Sequence, residues 1–98
     1  MIELTDRTVD IATDSSGVFV VMLYTKWCPI CTGMGYYLDN LADRHGFTAG
    51  RVDLNANART LNKYVPTKIP YFIIYNNGVQ VELAQGKVNL EEIIRPLL

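Results

Sequence analysis

This sequence has two cysteines, one histidine and one tryptophan in 98 residues, carries a formal net charge of -1 and contains no long apolar run. Each scarcity excludes something. A structural disulfide framework gains stability by closing long loops, and a bridge between Cys28 and Cys31 would close almost none. A tetrahedral zinc site wants four ligands, and beyond those cysteines the chain offers only His45, which reads as a helix-end residue with no catalytic part. A charge near zero gives no basic field for nucleic acid, and the scattered Lys and Arg form no phosphate-binding arm. The longest apolar run, Val18 to Tyr24, falls far short of the ~20 residues of a membrane span. Met1 to Arg7 shows no apolar stretch after a basic start, so no secretory leader is expected. These absences predict a cytoplasmic protein with no nucleic-acid, membrane or metal partner.

Hydrophobic residues make up 49% and charged residues 19% of the chain, the balance of a soluble globular protein, and the length predicts one domain over 1–98. Ile2 to Leu4 reads as a short edge strand and Asp6 to Thr13 as a first helix. Val18 to Tyr24, continuous, β-branched and apolar, reads as a central strand buried on both faces. Met34, Tyr37, Leu38 and Leu41 recur at i, i+3, i+4 and i+7, one face of a helix that ends with Arg44, His45 and the C′ residue Gly46. Arg51 to Leu54 predicts a strand, and Ala58 to Tyr64 a helix with Asn57 as its cap. Tyr71 to Tyr75 and Val79 to Leu83, joined through Asn77-Gly78, predict a hairpin whose second arm has one solvated face. Asn89 and Glu92 open a C-terminal amphipathic helix. Strands alternating with helices, plus one hairpin, predict an α/β protein with a central mixed β-sheet flanked by helices.

The two cysteines fall where the buried strand passes into the long helix. A helix start presents unpaired N–H groups and the positive end of the macrodipole, which stabilise a thiolate there. Pro29 suits the first helical position, where its missing N–H is no loss. Cys28 then precedes the helix and faces outward, while Cys31 lies about one turn in, partly covered. Two free core thiols are the bland alternative, but the junction favours redox chemistry, in which Cys28 attacks and Cys31 resolves a mixed disulfide. Trp27 beside Cys28 offers either a docking surface or an ordinary core ring. Pro70 opens an apolar strand, where proline must sit on an edge or bend the chain.

Tyr24-Thr25-Lys26-Trp27-Cys28-Pro29-Ile30-Cys31, Ile69-Pro70, Asn77-Gly78 and Gly86 together resemble the thioredoxin family over essentially the whole chain. The resemblance implies a thioredoxin-like fold, a cis Pro70, and reduction of protein disulfides without a bound cofactor, through a redox-active Cys28–Cys31 disulfide. It also implies a substrate groove at Trp27, Pro29, Ile30, Ile69, Pro70, Gln85 and Gly86, and a monomer recharged by thioredoxin reductase or glutathione. Three features depart from the family. Met22 stands where thioredoxins carry a buried Asp, which leaves Arg51 without the partner its counterpart has. Pro29-Ile30 replaces the usual Gly-Pro, so Lys26 with Cys-Pro-x-Cys also resembles glutaredoxins. Lys26 is a candidate contact to the thiolate or to glutathione, against the ordinary solvated lysine. Tyr36 replaces a helix-kinking proline. A glutathione-dependent reductase, a binding module with incidental thiols and an iron–sulfur carrier through Cys28 stand as alternatives.

Overall fold

The computed structural model describes residues 1–98. Its elements run β1 (Ile2–Leu4), α1 (Val9–Thr13), β2 (Val18–Tyr24), α2 (Pro29–His45), β3 (Thr48–Asp53), α3 (Ala58–Tyr64), β4 (Tyr71–Asn76), β5 (Val79–Gln85) and α4 (Leu90–Ile94), with a 3-10 turn at Arg95–Leu97. The strands form one sheet in the order β1-β3-β2-β4-β5. β3 runs parallel to β1 and β2, and the hairpin adds β4 and β5 antiparallel. No helix is long and apolar enough to cross a membrane.

β2 is buried along its whole length because both faces of the sheet are covered. Its residues alternate between two core layers, as the two-residue period of a strand requires. Val18, Val20, Met22 and Tyr24 pack with Cys31, Met34, Leu38 and Leu41 of α2 and with Leu90 and Ile94 of α4. Phe19, Val21 and Leu23 pack on the opposite side with Val9 of α1, Val52 and Ile73, and Tyr64 of α3 leans on that layer. The sheet thus has α2 and α4 on one face and α1 and α3 on the other.

α2 ends as its sequence predicts: Gly46 takes φ 73° and donates its N–H to the Ala42 carbonyl at 2.8 Å. The His45 ring reaches Glu91 at 2.8 Å, which ties the end of α2 to α4. α4 is capped by Asn89, whose side chain accepts the Glu92 N–H at 3.2 Å.

Four expectations shift. β3 starts at Thr48 rather than Arg51, because Thr48 to Gly50 pair with Phe19 to Val21 of β2. Gly50 sits where a Cβ would stand 2.7 Å from Leu4 Cδ1, so a larger residue would have to displace the Leu4 side chain where β1 meets β3. α1 starts at Val9 rather than Asp6, since Thr5 to Thr8 form a turn and the Asp6 side chain is occupied elsewhere. Asn57 does not cap α3. Its amide instead takes the Asp6 N–H at 2.8 Å and donates to the Asp53 carbonyl at 2.9 Å. Finally, β5 is exposed on both faces rather than one, with only Ala84 packing onto the core. It is the outer strand of a type I′ hairpin (φ 53° at Asn77, 80° at Gly78), and its ladder slips between Ile74 and Tyr75.

Candidate active site

Cys28 is the N-cap of α2, with φ -106° and ψ 103°, and Pro29 occupies the first turn. The Cys31 N–H donates to the Cys28 Sγ at 3.2 Å. The sulfur therefore takes the place that a serine or aspartate oxygen fills at an ordinary helix start, and lies at the positive end of a 17-residue helix. Cys28 is partly exposed, whereas Cys31 is buried to 2% in the core layer beside Met22 and Met34. Cys31 is thus covered more completely than its spacing alone predicts. Burial pushes its thiol up to about 12, and the neighbouring Cys28 side chain adds to the effect. One sulfur is within reach of a partner and the other waits behind it, protonated.

The Ile69–Pro70 peptide is cis. The Pro70 carbonyl accepts the Gly86 N–H at 2.7 Å, and the Thr67 hydroxyl reaches the Gln85 side chain at 3.2 Å. These bonds hold the Pro70 loop and the end of β5 together. Gly86 takes φ 77°, and a Cβ there would meet Lys68 Cδ at 2.9 Å. Cys28 and Ile69 pack against the same core layer. Trp27 stands 84% exposed and Ile30 51% exposed. Ile30 borders an apolar groove of about 390 Å³ that also involves Met34, Tyr37 and Val88. Tyr71 is buried in the opposite layer against Tyr64.

Cys31 also borders a second, more polar cleft of about 440 Å³, shared with Lys26, Tyr24, Arg51 and Asp39. Arg51 is not partnerless: its Nε donates to Glu3 of β1 at 2.7 Å and its guanidinium lies 4.7 Å from the Tyr24 ring centre. The Tyr24 hydroxyl donates to the same Glu3 at 2.9 Å. Burial, reinforced by Glu3, pushes the Tyr24 phenol up to about 12. Sequence reasoning missed Asp39, Gly35 and Glu3. The first two were findable, since Cys31, Gly35 and Asp39 repeat every fourth residue and share one helix face. No group of three His, Cys, Asp or Glu side chains converges as metal ligands.

The family model described as Thioredoxin matches residues 2–97. Thioredoxins of Staphylococcus epidermidis and Staphylococcus aureus are each 29% identical over 99 residues, covering 96% of this chain and 94% of theirs. The X-ray structure of Fasciola hepatica thioredoxin superposes with a TM-score of 0.88 at 24% identity, covering 100% of both chains, and so shares the fold. A thiol pair at a strand–helix junction, a cis-proline loop packed on the same core layer and a match along nearly the whole chain agree: the chain belongs to the thioredoxin family, the protein-disulfide oxidoreductases.

Proposed function

We propose that Cys28 is the attacking thiolate and Cys31 the resolving thiol of a protein-disulfide reductase. The Cys28 thiolate attacks one sulfur of a substrate disulfide. That bond breaks, one substrate thiolate leaves, and Cys28 carries the mixed disulfide. Cys31 then loses its proton and attacks the Cys28 Sγ, so the second substrate thiolate departs and a Cys28–Cys31 disulfide remains. No bound cofactor is needed. The observation that carries this reading is the order of the sulfurs, with Cys28 accessible at the helix start and Cys31 buried one turn behind it.

Trp27, Pro29, Ile30, Ile69, Pro70 and the Gln85-Gly86 segment are the surface on which the substrate chain docks. The exposure of Trp27 and Ile30 and the Gly86-to-Pro70 bond support it. Lys26 is a cation near the thiols, on the side of the polar cleft. Thioredoxin reductase is the electron donor in this reading, and the 98-residue chain acts as a monomeric single domain in the cytoplasm. A glutathione-dependent reductase and a redox-silent binding module are not favoured, since the family match is to thioredoxin.

Cys31→Ser tests the assignment. With a disulfide-linked protein substrate it should accumulate a covalent adduct at Cys28 and lose turnover, while Cys28→Ser should form no adduct. An adduct at Cys31 in the Cys28→Ser protein, formed as fast, would reverse the roles.

A further inference from the structure

Cys31 must shed a proton before it can attack, and the structure puts no base in contact with it. The residue packed in its layer on β2 is Met22, which has no site for a proton, and the hydrogen bond within the pair runs from the Cys31 N–H to the Cys28 Sγ. Burial holds the thiol neutral. The polar cleft reaches Cys31 and shares no lining residue with the Ile30 groove.

Along α2 that cleft follows the row Cys31, Gly35 and Asp39. Eight residues of helix put its ends about 12 Å apart along the axis. Gly35 lies at the middle of the row, inside a helix, where alanine is the better residue. Close packing does not require glycine there: an added Cβ would lie 3.4 Å from Met22 Cε and 3.6 Å from Met1 Cε, ordinary contact distances. The missing side chain keeps open the floor between the sulfur and the carboxylate. Asp39 closes the row, half-exposed and 2.9 Å from the Met1 amino group.

We propose that Cys31 discharges its proton through this cleft, along water lying over Gly35, to the Asp39 carboxylate. The proposal rests on Cys31 being the resolving thiol. The proton moves from the Cys31 thiol through water to Asp39, and the sulfur keeps the electron pair. That pair forms the bond to Cys28 Sγ, the Cys28–substrate bond breaks, and the departing substrate thiolate takes a proton from solvent. The other titratable and charged groups around the cleft are the Met1 amino group, Tyr24, Lys26, Tyr36 and Arg51. Glu3 stands behind Tyr24 and Arg51, and Cys28 lies beside Cys31. Glu3 does not line the cleft and Tyr24 keeps its own proton at neutral pH, which leaves Asp39, the one carboxylate in the lining, as the acceptor.

The test is single-turnover kinetics that time mixed-disulfide formation at Cys28 separately from its resolution. Asp39→Asn should slow resolution about tenfold, make it rise with hydroxide, and recover with added acetate as a small base, while adduct formation keeps its rate. Gly35→Ala should raise the urea midpoint yet slow resolution, a combination that a purely structural role for Gly35 does not give. Resolution at the normal rate and pH profile in Asp39→Asn, or at the normal rate in a stabilised Gly35→Ala, would overturn the proposal. Loss of the adduct itself would instead count against Cys28 as the attacking thiol.

Discussion

The Asp6 carboxylate caps a helix from 54 residues away, accepting the Thr60 N–H at 2.8 Å and the Thr60 hydroxyl at 2.6 Å through one oxygen. Its other oxygen accepts the Arg59 N–H at 3.1 Å. Two orphan donors of the first turn of α3 are thus satisfied from the segment that follows β1. The Thr60 hydroxyl, helped by the backbone N–H groups of Thr60 and Arg59, holds the Asp6 carboxyl below its ordinary value of 3.8.

Removing that cap should lower thermal stability by several degrees, so Asp6→Ala is expected to melt below the parent protein at neutral pH. The folded state binds the Asp6 proton more weakly than the unfolded chain. The stabilisation is therefore complete above the ordinary carboxylate range and fades as pH falls below 3.8 through the lowered value. Melting curves of the two proteins should converge in acid. A constant gap down to the lowest pH would show that the carboxylate charge contributes nothing.

Val65 ends α3 at φ 42° and ψ 57°, a left-handed conformation that a β-branched residue adopts only under strain. It is exposed, so its side chain contributes little packing in return. Its N–H still closes the helix by donating to the Leu61 carbonyl at 2.8 Å. Asparagine tolerates this conformation, and Val65→Asn should stabilise the protein by about 1 kcal/mol. Urea unfolding should show a higher midpoint at an unchanged slope.

The buried Cys31 thiol makes the reduced protein sensitive to alkali. An unfolded thiol ionises near its ordinary 9.0, whereas the folded one holds its proton to about 12. Between those values the unfolded chain binds fewer protons, so stability falls as pH rises. Tyr24, raised from 10.0 to about 12, acts in the same direction. Cys31→Ser should flatten the decline from pH 9.0 upward, and Tyr24→Phe the part above 10.0. The same burial predicts that iodoacetamide alkylates Cys28 well before Cys31 in the native protein, read by mass spectrometry of each thiol.

What the chain discloses by itself divides by range. β2, α2 and the Asn77-Gly78 hairpin depend on local period and turn chemistry, and all three form where those signals lie. The Cys28 helix start is equally local, since Pro29 and the next apolar repeats are neighbours in sequence. Asp6 at α3, Glu3 at Arg51 and the early start of β3 depend on partners that come together only when the sheet assembles. No window on a single segment contains them. The polar cleft is intermediate: its α2 wall repeats every four residues, but its opposite wall is Tyr24 and Arg51 of the sheet.

Met22 sits 1% exposed in the layer that holds Cys31, where the resemblance to thioredoxins implies a buried acid, so Met22→Asp asks what such an acid would do here. The substitution removes a buried apolar side chain and puts a carboxyl among Val20, Met34 and Leu38. The lost burial contributes about 2 kcal/mol and the desolvated carboxyl a similar amount, a destabilisation of about 4 kcal/mol in all. That is a large share of the roughly 5–15 kcal/mol that holds a domain of this size together. Desolvation favours the neutral acid, so the new group should titrate well above the ordinary carboxylate range. Once ionised it stands ready to take the Cys31 proton directly. Resolution of the mixed disulfide should then gain a pH step absent from the parent and lose its dependence on Asp39. The double variant Met22→Asp/Asp39→Asn checks this: it should resolve as fast as Met22→Asp alone, and a rate as slow as that of Asp39→Asn would show that a carboxyl at position 22 does not serve Cys31.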